Sequence, residues 1–177
     1  MKHSSENTAL ILIDILNDFQ FSNGEKLLKH TKEILPNILK LKAYAKKNNL
    51  PIIYVNDHYG TWKADIDKIA THCRNEKNAN ILDQVLPTTN DYFLMKPKLS
   101  GFYQTALPSL LRELKVTHII LAGVAGNICV LFTANDAHMR DFSVSVPKNC
   151  VASTETHENE QALNLMKIVL SANIDPI

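Results

Sequence analysis

Short, almost uninterrupted apolar runs, separated by longer stretches of helical spacing, constrain this chain more than any other feature. The runs are TALILIDI at Thr8–Ile15, PIIYV at Pro51–Val55, YFLM at Tyr92–Met95, HIILA at His118–Ala122 and FSVSV at Phe142–Val146. Continuous apolar runs of this length suit parallel strands covered on both faces. Between them, Thr31–Lys47 sets Ile34, Leu35, Ile38, Leu41 and Ala45 near one helical stripe, with lysines interspersed. Pro108–Leu114, Asn127–Arg140 and Glu158–Leu170 carry further helical patterns. Strands alternating with helices imply right-handed βαβ units, so the expected class is α/β with a central, mainly parallel sheet. The segment Asn56–Pro87 is the least regular and is expected to hold one or two short helices.

A chain of 177 residues is long enough for one sizeable core and short for two, so residues 1–177 are read as a single domain. The formal net charge of +1, with no block of like charges, gives no reason to expect nucleic acid or a membrane as partner. Cys73, Cys129 and Cys150 are odd in number and widely spaced, which is neither a disulfide framework nor a zinc pattern. A reducing compartment is the simpler reading. The stretch Met1–Asn7 is polar, and the apolar run Ala9–Ile13 is too short to cross a bilayer. The expected location is cytoplasmic.

In open parallel sheets, ligands bind beyond the carboxyl ends of the strands. Three polar features fall at such ends: Asp14 after the first run, Lys96 after YFLM, and Gly123-Val124-Ala125-Gly126-Asn127-Ile128-Cys129 after HIILA. Taken singly, each has a plain structural reading. A carboxylate at a strand end can cap a loop, a lysine is usually solvated, and a lone cysteine packs as a small hydrophobe. Cys129, however, opens a helix, where backbone N–H groups and the helix dipole favour a thiolate. Ala125 and Gly126 let the backbone approach a ligand, and such a turn can offer N–H donors to an oxyanion. Phe19, Asn56, Trp62, Phe102 and Val124 are candidates for the pocket wall, with Asp57, Tyr59 and Tyr103 as further possibilities; core packing or subunit contact is the competing role for the aromatics. Cys73, Cys150, His118 and His138 sit where packing is the better reading.

The order of these pieces resembles the isochorismatase-like cysteine hydrolases, a family that includes nicotinamidases and other amidases. The matching segments are LILIDILNDF (Leu10–Phe19), MKPKLSGFYQTAL (Met95–Leu107) and AGVAGNICVLFTANDAHMRDFSVSVPKNCVAS (Ala122–Ser153), the last being the most specific. The resemblance implies a three-layer α/β/α, Rossmann-like hydrolase fold. It implies Cys129 as nucleophile, Asp14 as general base, and Lys96, four residues before Ser100-Gly101-Phe102, as their partner. It also implies a cis peptide at Val124–Ala125, an oxyanion hole from the N–H groups of Ala125 and Cys129, no cofactor, a small-molecule substrate and a homo-oligomer, dimer or tetramer.

Two positions depart from familiar members. Leu16 stands where many relatives carry glutamine. Asp57 and His58 are adjacent, whereas metal-binding nicotinamidases use Asp-x-His; neighbours on an extended chain face opposite ways, so no metal is expected, even with His72 and Cys73 nearby. The expected reaction is hydrolysis of a C–N, amide-type bond through a thioester. The alternatives are an isochorismatase-type hydrolase of a vinyl ether, an enzyme acting on a nitrogen heterocycle, and a non-catalytic binding module that keeps the fold. A dinucleotide-binding domain has little support, because Asp14-Ile15-Leu16-Asn17 replaces a Gly-x-Gly-x-x-Gly turn after the first run.

Overall fold

The computed structural model describes residues 7–62 and 65–177. Most of the polar N-terminal stretch read above, Met1–Glu6, lies outside the described residues. The elements run β1 (Thr8–Ile13), α1 (Gly24–Lys47), β2 (Ile52–Asp57), α2 (Ile66–Cys73), α3 (Ala79–Val85), β3 (Tyr92–Lys96), α4 (Leu107–Glu113), β4 (His118–Val124), a π-helical turn (Gly126–Val130), α5 (Leu131–His138), β5 (Ser143–Ser145), β6 (Val151–Ala152) and α6 (Thr156–Val169). The strands pair in the order β3-β2-β1-β4-β5, with β6 also on β4, and every pairing is parallel.

The alternation of side chains along β1 builds both faces of the core. Leu10 and Leu12 join Ile52, Tyr54 and Ile120 beneath Leu35, Ile38 and Leu41 of α1. Ala9, Ile11 and Ile13 turn the other way, joining Ile53, Val55, Ile119 and Leu121 beneath Leu111, Ala134 and Met166 of α4, α5 and α6. A period of two with apolar residues on both faces is what a strand sandwiched between helical layers requires. The fold is a three-layer α/β/α arrangement around a parallel sheet. Among the described residues, no helix is long and apolar enough to cross a membrane.

The element boundaries differ from the sequence reading for local reasons. β1 stops at Ile13, because Asp14 takes a left-handed φ of 45° and leaves the strand. α1 begins at Gly24 rather than Thr31, and its first turns bury Leu27 and Leu28. The pattern read as one helix over Asn127–Arg140 divides into the π turn and α5. β6 has two residues, too few to show a period.

Candidate active site

The chain winds from β1 to β2 to β3 on one side of the sheet and resumes on the other side of β1 with β4. This reversal is the switch point at which open parallel sheets leave a crevice. Asp14 leaves the end of β1, Lys96 ends β3, and the π turn follows β4. Register keeps the ends level, with Ile13 opposite Gly123 and Asp57 opposite Lys96.

Sheet topology thus brings together three residues far apart in the chain. Lys96 Nζ lies 2.8 Å from Asp14 Oδ2 and 3.4 Å from Cys129 Sγ. It also donates to the Lys98 carbonyl at 3.2 Å. Asp14 Oδ1 accepts the Asp57 N–H at 2.8 Å, and the Asp14 charge acts on the nearby Cys129 thiol. Both members of the ion pair are buried.

Burial sets the proton positions. Desolvation raises the Asp14 carboxyl above the ordinary carboxylate range, against the opposing pull of Lys96. Burial and the Asp14 charge push the Cys129 thiol up to about 12, with Lys96 acting against them. Burial works to lower Lys96, but Asp14 and Cys129 hold it above its usual value. Burial thus favours a neutral Cys129 thiol beside the Asp14–Lys96 pair. That differs from the thiolate suggested by a helix start alone, because the desolvation of Cys129 outweighs its location.

The turn that carries Cys129 is held from three sides. The Val124–Ala125 peptide is cis. Gly123 has φ 117°, and a Cβ there would come within 2.1 Å of the Ile13 carbonyl oxygen, so only glycine fits. Ser153 Oγ accepts the Asn127 N–H at 3.0 Å and donates to Asn159 Oδ1 at 2.8 Å, while Asn127 Nδ2 donates to Glu158 at 2.9 Å. On the far side, Gly101 N–H donates to Thr133 Oγ1 at 2.9 Å, and that hydroxyl donates to the Cys129 carbonyl at 2.6 Å. Ala125 precedes the π turn and Cys129 lies within it. A π turn of this kind is frequent where a backbone is shaped for function.

Asp14, Lys96 and Cys129 open into a cleft of about 310 Å³ walled by Asn17, Asp18, Phe21, Asp57, Tyr59 and Pro97–Leu99. None of the five proposed wall residues lines it. Phe19 is buried among the core residues and faces a neighbouring groove. Asn56 is fully buried and clasps Leu16, accepting its N–H at 3.1 Å and donating to its carbonyl at 2.8 Å. Trp62 lies outside the cleft, 69% exposed, and stacks on His58 with ring centroids 4.1 Å apart. Phe102 is buried in the opposite core layer near Phe142, and Val124 is buried beneath the turn. Tyr103 is half exposed and is also absent from the wall. The residues that do form it are mostly chain neighbours of Asp14 and Lys96, and that adjacency was the available signal.

Leu16, two residues after Asp14, turns its side chain into the core. Its carbonyl accepts from Asn56, from Tyr59 Oη at 3.0 Å and from Cys73 Sγ at 3.4 Å. Cys73 and Cys150 are fully buried, and burial pushes each thiol up to about 12. His118 bonds Ser145 across the sheet at 3.0 Å. Around Asp57, one carboxylate oxygen takes the Tyr59 N–H at 2.8 Å, and His58 Nδ1 takes the Gly60 N–H at 3.0 Å. Among the described residues, no three His, Cys, Asp or Glu side chains are grouped to hold an ion.

Residues 8–174 match the isochorismatase domain family. The isochorismatase family protein YaaI of Bacillus subtilis (strain 168) is 53% identical over 97% of this chain and 94% of its own length. The ureidoacrylate amidohydrolase RutB of Acinetobacter baylyi is 25% identical, over 82% of this chain and 71% of that protein. Among solved structures, the pyrazinamidase/nicotinamidase of Streptococcus mutans superposes with a TM-score of 0.72 at 27% identity, covering 94% of this chain and 99% of that one.

Proposed function

The chain belongs to the isochorismatase family, and from that premise we propose that it is a cysteine hydrolase that cleaves an amide-type C–N bond of a small molecule. The observation that carries the reading is Lys96 Nζ within 2.8 Å of Asp14 and 3.4 Å of Cys129 at the mouth of a cleft. The amidohydrolase and nicotinamidase among the similar proteins support the choice of bond.

In this mechanism Cys129 Sγ attacks the amide carbonyl carbon as its proton passes to Asp14. A thiol near 12 is protonated at neutral pH, so attack and proton transfer are coupled. The carbonyl oxygen takes up charge as the tetrahedral intermediate forms, and the N–H groups of Ala125 and Cys129 are assigned to receive it. Protonated Asp14 then gives its proton to the departing nitrogen, the C–N bond breaks, and ammonia or an amine leaves a thioester. Water, deprotonated by Asp14, attacks the thioester and releases a carboxylic acid and the free thiol. Lys96 holds Asp14 in place and offsets negative charge at both partners throughout.

Ammonia release across a panel of primary amides and cyclic ureides tests the reading. At least one should be turned over by the unaltered protein and none by Cys129→Ala with its fold intact by circular dichroism. Undiminished turnover in Cys129→Ala would overturn the mechanism.

A further inference from the structure

The charged groups facing the cleft do not balance. Asp14 and Lys96 pair with each other. That leaves Asp18 and Asp57 against the exposed Lys98 among the described lining residues. His72 reaches Asp18 at 3.9 Å but is itself 44% exposed. The neighbouring groove, about 570 Å³, shares Asp18 and Phe21 with the cleft and adds Glu25, Glu76 and Lys77. Lys77 is already paired with Glu25 there, so Glu76 extends the negative excess. No Lys or Arg is salt-bridged to either carboxylate among the described residues: Asp18 Oδ1 takes the Gln20 N–H at 2.9 Å and Asp57 Oδ1 takes the Tyr59 N–H at 2.8 Å. Phe21 and Tyr59 stand beside these carboxylates, and aromatic rings next to carboxylates favour a cation over an anion.

We propose that the cleft selects a neutral or cationic amide and disfavours any substrate bearing a carboxylate. This rests on the amidase reading for the bond cleaved, while the charge selection is a property of the cleft alone. One uncompensated charge about 6 Å from a ligand charge, at an effective dielectric near 40, changes association about tenfold. The effect weakens with added salt because the cleft is open to solvent.

Alkylation of Cys129 measures this selection without requiring turnover, since Cys73 and Cys150 are fully buried. Rates with iodoacetamide, iodoacetate and 2-bromoethylamine are each divided by the rate for N-acetylcysteine amide, with Cys129→Ser as the control for site. Normalised iodoacetamide should outpace normalised iodoacetate about tenfold, with 2-bromoethylamine at least equal to iodoacetamide. The preference should shrink in high salt and in Asp18→Asn/Asp57→Asn, which keeps both hydrogen-bond acceptors. A normalised ratio of one, or faster reaction with iodoacetate, would overturn the proposal.

The second arm compares pentanamide, 4-aminobutanamide and succinamic acid as substrates. Faster ammonia release from succinamic acid would overturn the charge selection and leave the amidase reading standing. No release from any amide, together with the alkylation preference, would overturn the amidase reading and support the charge selection.

Discussion

Lys96 Nζ lies 2.8 Å from Asp14 Oδ2, with 2% and 8% of the two side chains reaching solvent. A pair this deep couples function to stability, because removing one partner leaves the other charge unpaired in the interior. Asp14→Asn and Lys96→Met should each lower the unfolding free energy by about 3–5 kcal/mol in guanidinium titrations. The double variant should lose less than the sum by at least about 1 kcal/mol, and should remain without turnover. Strict additivity would mean that the two charges do not depend on each other.

The pH profile of turnover follows from the raised Asp14. The carboxyl must be ionised to accept the thiol proton, and desolvation lifts it above its ordinary value. The acid limb of kcat/KM should therefore have its midpoint above about 3.9, the unperturbed aspartate value. Activity is lost as pH falls through that midpoint and should then stay level past neutrality, because the Cys129 thiol, near 12, remains protonated there. An acid limb with its midpoint at or below about 3.9 would count against a buried Asp14 as the base.

Much of this centre could be read from the sequence because its signals are local. Asp14, Lys96 and Cys129 each stand where an apolar run ends or a small-residue turn opens a helix, and parallel strands must carry such positions to one edge. The cleft wall was harder to read because orientation, not residue type, decides it. Asn56 and Asp57 are adjacent at the end of β2, yet Asn56 turns inward to clasp Leu16 while Asp57 faces the cleft. Phe19 and Phe21 alternate in the same way: Phe19 enters the core and Phe21 lines the cleft. The clamp from Ser153, Glu158 and Asn159 was missed because short hydrogen-bonding side chains leave no periodic trace.

That clamp can be tested at Gly126. A Cβ there would come within 2.1 Å of Asn159 Oδ1, which is itself tied to Ser153. Gly126→Ala must displace Asn159 and, through Ser153, loosen the Asn127 N–H at the base of the nucleophile turn. The expected result is a fall in kcat of about tenfold to a hundredfold with KM little changed, because a small misplacement of a reacting group is costly. Asn159→Ala should cost about 1–2 kcal/mol of stability through its lost hydrogen bond. The double variant should be more stable than the sum of the two singles predicts, since the clash is gone. Unchanged kcat in Gly126→Ala would separate the clamp from the chemistry.

Buried groups set the response of stability to alkali. Cys73 and Cys150, both fully buried, are pushed up to about 12 by desolvation, whereas an unfolded thiol ionises near 8.5. The unfolded chain therefore loses these protons first. Each thiol's contribution is fully present below about pH 8.5 and declines toward 12 by up to about 1.4 kcal/mol per pH unit. Cys129, also near 12, acts in the same direction. Lys42 opposes them. Its ammonium is buried against the Val85 carbonyl at 3.0 Å, and desolvation lowers it to about 8. Between about 8 and the unfolded lysine value near 10.4, the unfolded chain holds more protons at this site, so its contribution rises with pH. Three raised thiols outweigh one lysine, so denaturant titrations under reducing conditions should show stability falling from pH 8.5 to 10. Lys42→Met removes the opposing group and should steepen that fall. Stability that stays flat or rises over this interval would show that the buried thiols ionise in the folded protein as easily as in the unfolded chain.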